Sequence, residues 1–336
     1  MIRVFLILIG TLGCSSFKND NEPKDPPCQS ETVATQLALY RPLVTKGLDD
    51  HGLAVMKGSI GDSALFSCLA RVGGAATFDP AVLFTDGKPI RHPDIKPGIS
   101  DTPTSRDMVA GILWCLWDLH RKGETDHAID LVQKMIAFGK GHPLTHDADV
   151  GWLFCTDGDR DLYRISDEAW FGKCFMTPAV IKDIYRVAKM VGVPCDETCQ
   201  YYTKIGTNLP VDGTGFRRHL AVIATVRNGL VEGAINDNSL KIVLQNAADS
   251  QSRNALYQAS FHLFSDGDQA AAFAALGDES LFPRDRLPTS SEYCSDYLFQ
   301  RDQDLNDWVP CGADGAAEGR GIEWIFAASL ALGEIH

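Results

Sequence analysis

The sequence predicts an all-α fold, a chain of helical hairpins expected to close into an (α/α) toroid, with one small β-hairpin. Three observations predict it. Apolar residues recur with a helical period along most of the chain. Glycine follows one periodic segment after another, as at Gly47, Gly73, Gly123 and Gly192. Strands do not alternate with helices, so nothing would build a parallel sheet. An open helical solenoid would show a fixed-period repeat, and none is present. Long irregular segments at 74–104, 139–177 and 277–320 suit a ring, where such segments gather at the mouth.

The elements follow in order. A helix is expected over 32–46, where Leu37, Leu39, Leu43 and Val44 precede Gly47. A second, over 62–72, carries Leu65, Phe66 and Leu69 and stops at Gly73-Gly74. The strongest spans 106–122, with Met108, Val109, Ile112, Leu113, Leu116 and Leu119 on one face. The segment 124–138 follows after a very short connection, which predicts an antiparallel helical hairpin. Pro178 after Thr177 suits a first helical position, and that helix runs to Met190 ahead of Gly192. Further helices are expected over 216–227, 239–248, 253–264, 268–276 and 321–332. The β-hairpin is expected in WLFCT, DGDR and DLYRIS, around Asp157-Gly158.

Composition narrows the function classes. The 336 residues are 45% hydrophobic and 22% charged, in the range of globular proteins. The net charge is −13, from 44 acidic residues against 31 Lys and Arg, so no basic footprint for nucleic acid exists. No low-complexity stretch or charge block divides 31–336, which reads as a single helical domain. GxSxG, P-loop and dinucleotide fingerprints do not occur.

The first 14 residues are MIRVFLILIGTLGC, with Arg3 ahead of an unbroken apolar run. Residues 1–13 read as a secretory signal peptide. The tail Thr11-Leu12-Gly13-Cys14 resembles the lipobox of bacterial lipoproteins, with Thr11 where that family prefers Leu. The resemblance implies cleavage before Cys14, acylation of Cys14 and attachment to a membrane of the cell envelope. Ser15, in place of an Asp, points to the outer membrane of a Gram-negative bacterium. The alternative is an ordinary signal peptide with an incidental cysteine. Residues 14–30 then form a lipidated tether, since 15–30 are polar, contain three prolines and lack the apolar area to order themselves.

Ten cysteines are present, and setting Cys14 aside leaves nine. Export implies an oxidising compartment and hence pairing. Cys294 and Cys311 flank a polar segment and form the favoured disulfide. Cys155 and Cys174 bracket another loop-rich stretch, and Cys195 and Cys199 sit between a helix end and the next turn. Cys68 and Cys115, in apolar helical runs, read as buried small hydrophobes. The odd count leaves one thiol, for which Cys28 in the tether is the candidate. No paired CxxC occurs and no His lies at ligand spacing from a Cys pair, so neither a zinc site nor another cofactor is expected.

The stretches IGDSALFSCLA at 60–70 and PTSRDMVAGILWCLW at 103–117, with the short hairpin after them, resemble the six-hairpin glycosidase superfamily. The segments 252–273 and 285–302 resemble uncharacterised phage and bacterial proteins. The superfamily places acids at helix N-termini and aromatic rings along a sugar cleft. The resemblance therefore implies a hydrolase or lyase acting on a polysaccharide or oligosaccharide, with a glycan as ligand.

Within that frame Asp62 opens a helix and Asp107 stands in the first turn of the strongest one. Two carboxylates flank the scissile bond in glycoside cleavage, and these two form the candidate pair. Asp147 and Asp149 are the reserves, with His142 and His146 alongside. Arg106 would hold the neighbouring acid or bind a uronate. The competing reading is structural, because Thr104-x-x-Asp107 fits a capping box and an acid in the first turn complements the helix dipole. Trp152 and Trp170 adjoin loops and are candidates for stacking on sugar, as is Trp308; Trp114 and Trp324 belong to the core. His219 reads as a partly buried helix residue rather than a base. Asp157, Asp159, Asp161 and Glu168 have calcium-loop spacing, but Leu162 stands where such a loop needs Gly. The alternative function is a non-catalytic envelope lipoprotein that binds a glycan or a protein partner.

Overall fold

A computed structural model describes residues 29–55, 60, 63–94, 106–141, 178–204, 216–233, 238–264, 269–277 and 321–335. Its helices are α1 (Gln29–Lys46), α2 (Ser63–Val72), α3 (Arg106–Arg121), α4 (Thr125–Gly141), α5 (Pro178–Met190), α6 (Glu197–Lys204), α7 (Phe216–Glu232), α8 (Asn238–Ser250), α9 (Ala255–Phe264), α10 (Gln269–Leu276) and α11 (Ile322–Ala331). A two-stranded antiparallel sheet, β1 (Phe84–Thr85) and β2 (Lys88–Pro89), is the sheet among the described residues. No described helix is long and apolar enough to cross a membrane.

Helix boundaries fall within a few residues of the sequence expectation, because capping and stop signals are local. Gly123 and Gly192 adopt positive φ just past α3 and α5, the left-handed backbone that ends a helix. Asn254 accepts from Tyr257 N at 3.3 Å and so caps α9. Helix α6 was passed over in the sequence; Asp196 caps it by accepting from Cys199 N at 2.9 Å.

Contacts between helices run α2–α3–α7–α9–α11 and return to α2, a closed circuit. Helices α1 and α10 pack outside α11, α4 and α5 outside α3, and α8 against α7 and α9. All ten residues of α2 and all ten of α11 are buried. Residues 111–119 of α3 are buried without interruption. The single apolar face expected for α3 is thus incomplete, because α3 is surrounded by α2, α4, α5 and α7.

Aromatic rings fill the interior. Trp114 meets Phe326 edge-on at 5.0 Å and Trp117 at 5.4 Å, and Tyr40 meets Trp324 at 5.6 Å. Trp114 and Trp324 are core residues, as expected, and Trp324 Nε1 donates to Leu276 O at 3.1 Å. Arg41 ties the outer helix α1 inward, donating to Gly73 O at 2.7 Å and Ser329 Oγ at 3.0 Å and pairing with Glu334.

One cysteine reading changes. Cys68 and Cys115 are buried, but they are bonded to each other, with an S–S distance of 2.02 Å joining α2 to α3. Cys195 and Cys199 are also bonded, at 1.98 Å, and clamp the first turn of α6. The expected Cys294–Cys311 bridge, and Cys14, Cys28, Cys155 and Cys174, lie outside the described residues.

The observed hairpin is not the expected one. It turns at Asp86-Gly87, with φ of 50° and 82°, the two positive values a two-residue hairpin turn requires. The expected Asp157-Gly158 hairpin lies outside the described residues. The Asp-Gly signal was present at both places, but two-residue strands ending at a proline carry no alternation to read.

Candidate functional site

Four polar clusters emerge from the packing, and two of them are structural. Asp118, fully buried near the end of α3, meets Arg71 at 3.0 Å, Arg121 at 2.8 Å and Lys122 at 2.7 Å. Arg71 also donates to Phe78 O at 2.6 Å, so α2, α3 and the segment after α2 are tied at one point. Asp183 on α5 meets the fully buried Arg227 of α7 at 2.7 Å and Arg186 at 3.1 Å, and accepts from Asn228 at 2.9 Å. Arg227 reaches on to Ala110 O of α3 at 3.2 Å. Acids matched by two or three cations hold helices together.

The third cluster is different. His219 of α7 and Glu323 in the first turn of α11 are both completely buried, and their Nε2 and Oε1 atoms lie 3.2 Å apart. Burial pushes the imidazole down to about 3. A neutral imidazole therefore faces the Glu323 carboxyl, and the contact is not an ion pair at ordinary pH. His219 is more deeply buried than the sequence suggested. A 3.6-residue period marks its face as inward, but not how much lies over it.

The fourth cluster was missed. After α1 the chain makes a tight turn closed by pairing of Leu48 with Ala54. Asp49 Oδ1 accepts from His51 N at 2.9 Å and Leu53 N at 2.8 Å, and Gly52 takes φ +75° to complete the turn. Ala54 N donates to Ser67 Oγ at 2.8 Å, which pins the turn to α2. From the other side, the chain leaving β2 buries His92 and then exposes Asp94. Asp94 N donates to His92 Nδ1 at 3.1 Å, so His92 Nε2 carries the proton and donates to Asp49 Oδ2 at 2.6 Å. His51 Nε2 lies 3.3 Å from Asp94 Oδ1, and the two imidazole rings meet edge-on at 5.4 Å. A faint signal was available: Asp49-x-His51 and His92-x-Asp94 are mirrored pairs at the same spacing.

Among the residues singled out in the sequence, Asp107 is described and is half-buried in the first turn of α3. Arg106 begins that helix, but its side chain lies outside what is described, as do Asp62, Asp149, Trp152 and Trp170. The separation of Asp62 from Asp107 is therefore not part of the described geometry. The chain matches no protein-family model, no curated protein and no solved structure.

Proposed function

We propose that this protein is exported, anchored through a lipid on Cys14 in the cell envelope, and closed as an (α/α) ring whose interior acts on a polysaccharide or oligosaccharide as a hydrolase or lyase. Four points support the reading. The leader and Cys14 have the layout of a lipoprotein signal. Two disulfides among the described residues suit an oxidising compartment. The circuit of helix contacts is what a ring requires. The observation that carries the chemistry is the pairing of buried Glu323 on α11 with the neutral imidazole of His219 on α7, two helices of that circuit.

The general acid in glycoside cleavage is a carboxyl group set away from bulk water, and Glu323 is fully buried. Glu323 takes that role, with His219 as its proton partner. Asp62 and Asp107 stay the proposed second carboxylates, with Asp149 in reserve, and Arg106, Trp152 and Trp170 the proposed sugar contacts. Because Glu323 and His219 are fully buried, a glycan has to displace what covers them.

The test is a screen of the purified mature chain against a panel of glycans, reading new reducing ends and unsaturated products. Glu323→Gln is expected to lower turnover at least about 100-fold, the usual scale of a lost proton donor, with the thermal midpoint nearly kept. Absence of turnover on every glycan replaces this reading with the alternative, an envelope lipoprotein that binds a glycan or protein without reaction.

A further inference from the structure

We propose that Asp49, His51 and Asp94 form a binding site for a divalent transition-metal cation of the Zn2+ class, separate from the interior pair. One atom from each residue can be chosen so that all three lie within 4.8 Å of one another. In a tetrahedral zinc site with bonds of about 2.0–2.1 Å, ligand atoms stand about 3.3 Å apart. His51 Nε2 and Asp94 Oδ1 already do, at 3.3 Å. A small movement of these two exposed side chains toward Asp49 completes the triangle.

The donor set selects the ion. One imidazole nitrogen with two carboxylates is a mixed nitrogen–oxygen set, suited to zinc and its neighbours; calcium and magnesium take all-oxygen cages. Three protein ligands leave a fourth position for water or a ligand, the open form of a zinc site.

Charge supplies an independent reason. The buried acids Asp118 and Asp183 are matched by Arg and Lys, whereas the ion-pair partners of Asp49 and Asp94 among the described residues are histidines alone. Two carboxylates brought together without a Lys or Arg partner lower their repulsion by taking up a divalent cation. Asp49 is built to present one oxygen. Its Oδ1 is held by two backbone donors, while Oδ2 receives the buried His92 and keeps its second acceptor direction. His92 is the positioning residue: it fixes the Asp49 carboxylate and, through Asp94 N, the loop that carries Asp94. Such outer hydrogen bonds orient metal ligands and tune their affinity.

Isothermal titration of the mature chain with zinc chloride, and in parallel with calcium chloride, tests the site. The expected result is one zinc bound per chain, a thermal midpoint raised by zinc, and calcium bound at least about tenfold more weakly. His51→Ala and Asp94→Asn alter exposed side chains and leave the core alone, so circular dichroism should match the parent. Each should weaken zinc binding at least about tenfold, and His92→Gln about 10–100-fold, as loss of an outer-shell partner does. No zinc binding by the parent chain overturns the proposal, and so does binding unchanged in both His51→Ala and Asp94→Asn. Calcium held more tightly than zinc overturns the transition-metal assignment. None of these readings involves glycan turnover, so this site stands or falls apart from the interior pair.

Discussion

Asp118, Asp183 and His219 are buried ionisable groups, and two different devices keep them from unfolding the chain. The two acids are surrounded by cations and amide donors. His219 instead gives up its charge: burial holds it at about 3, below the unfolded value near 6.5. The unfolded chain therefore binds a proton that the folded one refuses. The contribution of His219 to stability is complete above pH of about 6.5 and is lost as pH falls toward about 3, with a slope of up to about 1.4 kcal/mol per pH unit. Urea unfolding of the parent and of His219→Gln across that window should show a shallower acid limb in the variant. Equal limbs would assign the acid sensitivity to other groups. At this scale the sequence marked His219 as a helix residue but not its surroundings, since the neighbouring Glu323 is 104 positions away.

At the scale of elements, α2 and α3 form the tightest junction. A Cβ placed on Gly111 would stand 2.4 Å from Leu65 Cα and 2.9 Å from Ala64 O, so the two backbones touch where only glycine fits. Gly111→Ala must push the helices apart and should lower stability by about 1–3 kcal/mol, read from the denaturant midpoint. A variant as stable as the parent would mean the helices separate at no cost. The Cys68–Cys115 bond crosses the same junction and closes a loop of sequence separation 47. Restricting the unfolded chain by a loop of that length contributes about 4 kcal/mol. Unfolding with and without a reductant should show a loss larger by that order in the parent than in the Cys68→Ala/Cys115→Ala variant, which keeps the Cys195–Cys199 bond. Apolar periodicity placed both helices but hid this bond, because a buried cysteine has the same pattern whether it is paired or packed as a thiol.

For the whole molecule, the lipid anchor is the reading with the most direct check. Mass spectrometry of the mature chain should find Cys14 as the first residue, carrying acyl chains, and Cys14→Ser should move the protein into the soluble fraction. A mature N-terminus elsewhere would remove the anchor. By itself the sequence determined the helical class, the boundaries of the helices it foresaw to within a few residues, and the identity of Trp114 and Trp324 as core residues. These depend on local signals, namely caps, glycine stops and a 3.6-residue period, and on burial that any helical packing would require. Tertiary structure alone decided which helices distant in sequence touch, that Cys68 meets Cys115, that His219 meets Glu323, and that Asp49 and His51 come to His92 and Asp94. Each of these side-chain meetings joins residues at least 41 positions apart, and side chains so distant in sequence leave no periodic trace of their meeting. Their proximity is set by how the helices close on one another, an outcome of the whole core rather than of any one segment.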